Sequence, residues 1–330
     1  VKGIPAVLRP KKIDRTHVIM GCVFLVGMAV YGFKFLDARE VALILARFKP
    51  LALPLLIVFP AAFLWLKATR YATLFSVSGD PIDDARKRRL TKTSYAAAQL
   101  ATLLPGGYVA RIGLMERSLK WGARAVIPTL LEKGLDLGLL GLVGLLTCWL
   151  YPETRVWGGL FLGLLVVSVS VFASKTIRDK CRKVLASLAS RLARKSLVNE
   201  ALRGRQPGRR TMVTIAMQTV AVLTLELAIL WFSFAALGLH PTLVVVVMGY
   251  AVADIVGRVA PTPGGFGVTE VGMVSLIHHL GNVGLNEAAA ATFLFRFLLF
   301  LLPALYGSLC YLFMWAPLIR VGDTTEDKAV

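Results

Sequence analysis

Leu104-Pro105-Gly106-Gly107-Tyr108-Val109-Ala110-Arg111-Ile112-Gly113-Leu114-Met115-Glu116 and Thr262-Pro263-Gly264-Gly265-Phe266-Gly267-Val268-Thr269-Glu270-Val271-Gly272-Met273-Val274 are two similar segments far apart in the chain. Each interrupts an apolar segment with the same tripeptide. Proline removes a backbone donor and glycine permits positive φ, so a helix breaks at Pro105-Gly106-Gly107 and again at Pro263-Gly264-Gly265. With one inserted residue, Arg111 falls opposite Glu270 and Gly113 opposite Gly272.

The sequence around the breaks gives them their meaning. Hydrophobic residues make up 56% of the 330, and runs long enough to span about 30 Å of hydrocarbon recur along the chain, which excludes a water-soluble core. The first run, 17–36, has no small-residue cleavage site and leads into further spans, so it reads as a retained helix and not as a signal sequence. Broken backbone at membrane depth must be buried in protein or line a wet cavity, so neither break faces lipid.

The formal charge of +19 matters less than its placement. Basic residues gather in the N-terminal tail, from Arg70 to Lys92, from Arg111 to Arg124 and in the loop 175–210, which the positive-inside rule assigns to the cytoplasm. The opposite segments, around Asp37 to Lys49, Pro152 to Arg155, His240 and Gly281 to Glu287, are poor in them. Full crossings then fit at 17–36, 51–70, 126–150, 155–174, 212–238 and 288–316, with both termini inside. The stretches 92–122 and 242–281 must enter and leave on one side. The expected fold is an all-α polytopic membrane protein with six full crossings and two re-entrant helical hairpins arranged as an inverted repeat. Residues 1–330 form a single transmembrane domain, 1–150 the first repeat and 151–330 the second, with sites expected where the repeats meet near the midplane.

Charges within or beside apolar segments supply the candidate site. Arg111, Glu132, Lys133, Asp136, Glu226, Asp254, Arg258, Glu270 and Arg296 all fall there, where an ionised side chain costs several kcal/mol unless it pairs or meets water. Glu132 and Asp136 share a helix face, as do Asp254 and Arg258, whereas Lys133 points about a quarter turn away. Glu270 begins a half-helix whose positive end favours an anion. Arg111 occupies the matching place, where a cation is disfavoured and needs Glu132, Asp136 or a lipid phosphate. Arg296 needs an anion, with Glu270 first and Asp254 second in line. The lipid-binding and translocation candidates are therefore Arg111, Glu132, Asp136, Asp254, Arg258, Glu270 and Arg296, with the two Pro-Gly-Gly breaks as their framework.

A family resemblance rests on these residues. The run from Pro261 through Pro263-Gly264-Gly265-Phe266-Gly267 to Glu270 resembles the PGGxGxxE element of the lysylphosphatidylglycerol synthase transmembrane-region family. The run from Pro105 through Arg111 to Glu132, Lys133 and Asp136 is similar to its Gly-rich segment, Arg and downstream E-R-x-x-D pattern, with Lys133 where arginine is usual. Arg70-Tyr71 resembles its Arg-Trp at the end of the second span. The resemblance implies a lipid flippase or transporter of the bacterial cytoplasmic (inner) membrane. Its partners would be membrane lipids: an anionic phospholipid, an aminoacylated phospholipid, a hopanoid or a polyprenyl-linked lipid. No aminoacyl-transferase domain is expected after the last span.

Other chemistries leave weaker traces. Cys22, Cys148, Cys181 and Cys310 are scattered without CxxC spacing, and adjacent His278 and His279 diverge on a helix, so no metal site or cofactor is expected. No HExxH, GxSxG or P-loop pattern occurs. An intramembrane lipid-modifying transferase using Glu270 or Asp136 as a base is one alternative. A membrane scaffold recruiting partners through loop 175–210 is another. In that loop 180–195 has the pattern of a surface-lying amphipathic helix for which anionic headgroups suffice, so nucleic acid is not an expected partner. Small-residue stretches such as 138–144 suit helix packing within a protomer or in a homo-oligomer.

Overall fold

A computed structural model describes residues 37–49, 53–75, 82, 84–99, 107–119, 122–156, 158–159, 162–163, 166, 208–259, 265 and 267–315. The expected crossing at 17–36, most of that at 155–174 and nearly all of loop 175–210 lie outside these residues, as do Pro105, Gly106, Pro263 and Gly264. The described residues are helical, with no strand among them.

The order is α1 (Ala38–Ala46), α2 (Leu53–Leu74), α3 (Ala85–Ala97), α4 (Gly107–Leu119), α5 (Gly122–Cys148), α6 (Arg209–Ala236), α7 (Leu243–Val259), α8 (Val268–Gly281) and α9 (Leu285–Trp315). Helices α6 and α9, of 28 and 31 residues, are long and apolar enough to cross a bilayer. In α9 the helix widens into π turns at Phe297–Leu301 and Tyr311–Trp315. The first lies just before Pro303, which has no N–H to offer the preceding turn. Internal prolines also occur at Pro60 in α2 and Pro128 in α5, as membrane helices tolerate.

Burial runs opposite to that of a soluble protein. Arg70, Arg111 and Glu132 are at most 2% exposed, while Met217 and Phe313 are 69% and 74% exposed. An exterior of that kind suits hydrocarbon, and the charges belong to the inside. The chain is a helical membrane protein.

Described residues within 60–136, 171–222 and 300–330 form one compact unit, and those within 1–59, 137–170 and 223–299 form another. In the first unit α2 and α5 run antiparallel, since Lys67 meets Asp136, Arg70 meets Glu132 and Tyr71 meets Thr129. Helices α3 and α4 pack on each other, with Ser94 and Ser118 hydroxyls 3.2 Å apart. At Gly307 of α9 a Cβ would stand 2.3 Å from the Ala96 carbonyl, so only glycine permits that approach to α3.

In the second unit α7 and α8 pack antiparallel along their lengths, Gly249 against Ile277 and Gly272 against Ala253. Near the turn Gly265 has φ +72° and lies against Gly257, where a Cβ would meet backbone atoms at 2.9 Å. Positive φ and close backbone approach thus coincide at one glycine of the second break. Helix α1 was not expected from the sequence. Its N-cap Asp37 accepts from the N–H groups of Arg39 and Glu40, and Asn286 ties it to α9, donating to Glu40 and accepting from Asp37 N at 3.2 Å.

Candidate functional site

Each Pro-Gly-Gly element is followed by a helix, α4 or α8, that carries a charge into a buried ion pair with the next helix. In the first unit Arg111, early in α4, reaches Glu132 on α5. Glu132 also accepts from Tyr95 Oη at 2.6 Å and meets Arg70 Nη2 at 3.5 Å. Arg70 Nη1 holds Asp136 Oδ1 at 2.7 Å, and Lys67 Nζ stands 3.7 Å from the same carboxylate. The i,i+4 placement of Glu132 and Asp136 is what allows one arginine to bridge both.

Aromatic rings enclose the cations. The Arg111 guanidinium lies 4.0 Å from the Tyr95 ring centroid and 5.1 Å from that of Tyr71. Tyr71 is anchored through its hydroxyl to Thr129 at 2.9 Å and to the Ala125 carbonyl at 3.3 Å. A planar, delocalised cation gains from such ring faces where water is excluded.

The second unit repeats the scheme with the charges exchanged. Glu270 is the third residue of α8, and its carboxylate accepts from the Gly267 N–H that caps the helix. Its other oxygen meets Arg296 Nε on α9 at 2.6 Å. Both residues are buried. The pairing expected between them therefore forms, and Asp254 instead holds Arg258 one turn along α7 at 2.6 Å. Arg258 keeps its side chain 30% exposed. Tyr250 on α7 donates to Glu226 on α6 at 2.7 Å.

Arg111 on α4 and Glu270 on α8, charges of opposite sign, thus each pair with a residue of the following helix. The family model described as Lysylphosphatidylglycerol synthase TM region matches residues 18–307. The chain belongs to that family. No curated protein matches the chain. The match covers both breaks and all the candidate site residues of the family pattern, from Arg70 through Arg296.

Within this lysylphosphatidylglycerol synthase transmembrane-region chain the structure brings Arg111, Glu132 and Asp136 into one cluster and Glu270 with Arg296 into a second pair. Lys67, Arg70, Tyr71 and Tyr95 join the first cluster, although none was a site candidate. Arg70 opens the basic stretch that the sequence assigns to the cytoplasmic rim, yet it is fully buried. Its spacing was the available signal, because Lys67 and Arg70 lie three apart on one face of an apolar helix. His278 bonds the Val283 carbonyl through Nδ1 at 2.7 Å, and no group of three His, Cys, Asp or Glu side chains placed to hold a metal occurs among the described residues.

Proposed function

We propose that the protein translocates a polar lipid across the cytoplasmic membrane, with the buried charges of each unit serving its headgroup. The observation that carries this reading is the pair of buried ion pairs, Arg111–Glu132 and Glu270–Arg296, each starting just beyond a helix break. Charges buried inside an apolar exterior cost several kcal/mol, and a chain that keeps them at matching places in both halves has a use for them. The family supports a lipid as the partner. The reading makes the protein a transporter and not an enzyme.

Re-entrant hairpins complete the proposal. The arms α3, α4, α7 and α8 have 13, 13, 17 and 14 residues, fewer than the roughly 20 that a crossing needs. The antiparallel packing of α7 on α8 supports a path that returns to the side it entered. Cysteine at Arg86 should then label only from the cytoplasm and cysteine at Asn282 only from the opposite face. Cytoplasmic labelling at position 282 sinks the re-entrant path.

Transport itself is tested in proteoliposomes by the dithionite-accessible fraction of fluorescent phospholipids. Lipid movement that is present with the protein and lost in Glu270→Gln supports the reading. Covalent change of the lipid, seen by mass spectrometry, favours a transferase.

A further inference from the structure

We infer that Arg88, Arg89 and Lys92 of α3, with Trp65 of α2 beside them, form a docking surface for the headgroup of an anionic phospholipid in the surrounding leaflet. This lipid is bound and not moved, so the inference needs only the membrane setting and stands apart from translocation.

Exposure singles out the surface. The first half of α3 is open, with Arg86, Lys87, Arg88 and Arg89 all exposed behind the N-cap Asp84. From Leu90 to Ala97 every residue but Lys92 is buried, so Lys92 is where the outer face of the helix continues past its basic end. Arg88 lies four residues before Lys92 and Arg89 three, which puts all three on one face. Among the described residues none of the three meets a carboxylate. Arg88 donates from Nη2 to the Ile82 carbonyl at 2.9 Å, and Lys92 stands over the Trp65 ring. Like charges at that spacing repel one another, and cations in the first turns of a helix also oppose its positive end. An anion from outside the chain relieves both costs.

Trp65 decides which anion. It is 64% exposed on an apolar helix that also exposes Ile57 and Val58, and the Lys92 ammonium lies 5.6 Å from its ring centroid. Indole rings settle at the boundary between hydrocarbon and headgroups, and a lysine stem lies along apolar surface while its ammonium stays at the polar side. Lys92 thus marks that boundary, and Arg88, about 6 Å nearer the open end of α3, stands at headgroup level. A partner that reaches Lys92 beside Trp65 needs an apolar body and an anionic head. A phospholipid has both, whereas a soluble acidic protein or a free phosphate has only the charge.

The test reads retention and not transport. The purified full chain is exchanged into nanodiscs of equal phosphatidylglycerol and phosphatidylcholine, then released and weighed by native mass spectrometry. Wild type, Arg89→Lys and Lys92→Arg should retain phosphatidylglycerol preferentially. Arg89→Gln and Lys92→Met, which keeps the stem on Trp65, should each lose about fivefold of that preference, the factor one near-surface basic residue contributes. Undiminished preference in both neutral variants, at normal unfolding temperatures, overturns the inference, also where an acidic protein that copurifies with wild type is lost from them. Displacement of the lipid by millimolar inorganic phosphate overturns it in favour of a soluble anion. Glu270→Gln should keep the full preference even where lipid movement is lost, so the docking surface and the transport reading fail separately.

Discussion

The helices that follow the two Pro-Gly-Gly elements, α4 and α8, carry charges of opposite sign and hold them differently. In the second, the charge that follows the break is Glu270, an anion in the first turn of α8, where the helix end and the Gly267 N–H both stabilise it before any cation arrives. One arginine, Arg296, then suffices as its ion-pair partner. In the first, the charge is Arg111, a cation near the positive end of α4, and the local backbone opposes it. A wider network answers: Glu132 on α5, Arg70 on α2, Asp136 bridged by Arg70, and two tyrosine rings around the guanidinium. Exchanging the sign of the charge between the two units is not neutral, because helix ends have a sign of their own. The half that works against its helix end has recruited more partners.

The largest effect should come from removing the hub of that network. Glu132→Gln removes the carboxylate that pairs with Arg111 and accepts from Tyr95, and breaking a buried pair costs about 3–5 kcal/mol, so the upper end of that range is expected here. Thermal unfolding in detergent should show it as a severe loss of folded protein. A variant as stable as wild type would mean that the first half is wet and that its ion pairs are not structural ties.

Removing the simpler pair should cost less. Glu270→Gln and Arg296→Gln each break one ion pair, for about 3 kcal/mol if the site is dry. The exchange Glu270→Arg with Arg296→Glu restores a pair but places a cation at the start of α8, so folding should recover further than lipid movement. Full recovery of both in the proteoliposome assay would show that the sign at the helix end is immaterial, and the contrast between the halves would lose its physical basis.

The second pair was legible from sequence because each partner was conspicuous. Glu270 follows a break at a place that favours an acid, and Arg296 is a lone base in a long apolar run. The first cluster was legible only in its charged middle. Arg111, Glu132 and Asp136 stood out, but Arg70 sits at the start of a basic stretch and its charge merged with the cytoplasmic rim. Tyr71 and Tyr95 carry no charge and announce themselves only by the hydroxyls they direct at Thr129 and Glu132. Helical class and the positions of α2, α5, α6 and α9 followed from apolar run length, which hydrocarbon thickness fixes. Helix α1 escaped because nine residues are too few for a periodic signal, although Asp37 two and three residues before Arg39 and Glu40 is the N-cap that starts it.

The smallest effect is also the sharpest test of the contrast, because each half has a tyrosine on its first arm that donates to a buried or half-buried acid. Tyr95 bonds Glu132 at 2.6 Å and Tyr250 bonds Glu226 at 2.7 Å. Replacing either by phenylalanine keeps the ring and removes one hydrogen bond to a charged group, worth about 1.5–3 kcal/mol. Tyr95 is completely enclosed and its acceptor is the hub, whereas Glu226 is only half-buried, so Tyr95→Phe should be the costlier change. The network also predicts coupling. Tyr95→Phe combined with Arg111→Gln should cost less than the sum of the two, by roughly 1 kcal/mol, since both act on the same carboxylate. Tyr250→Phe combined with Arg296→Gln should add more nearly, because Glu226 and Glu270 are different acceptors. Equal coupling in the two double-mutant cycles, measured by denaturant unfolding in detergent, would show that the first half is no more interdependent than the second.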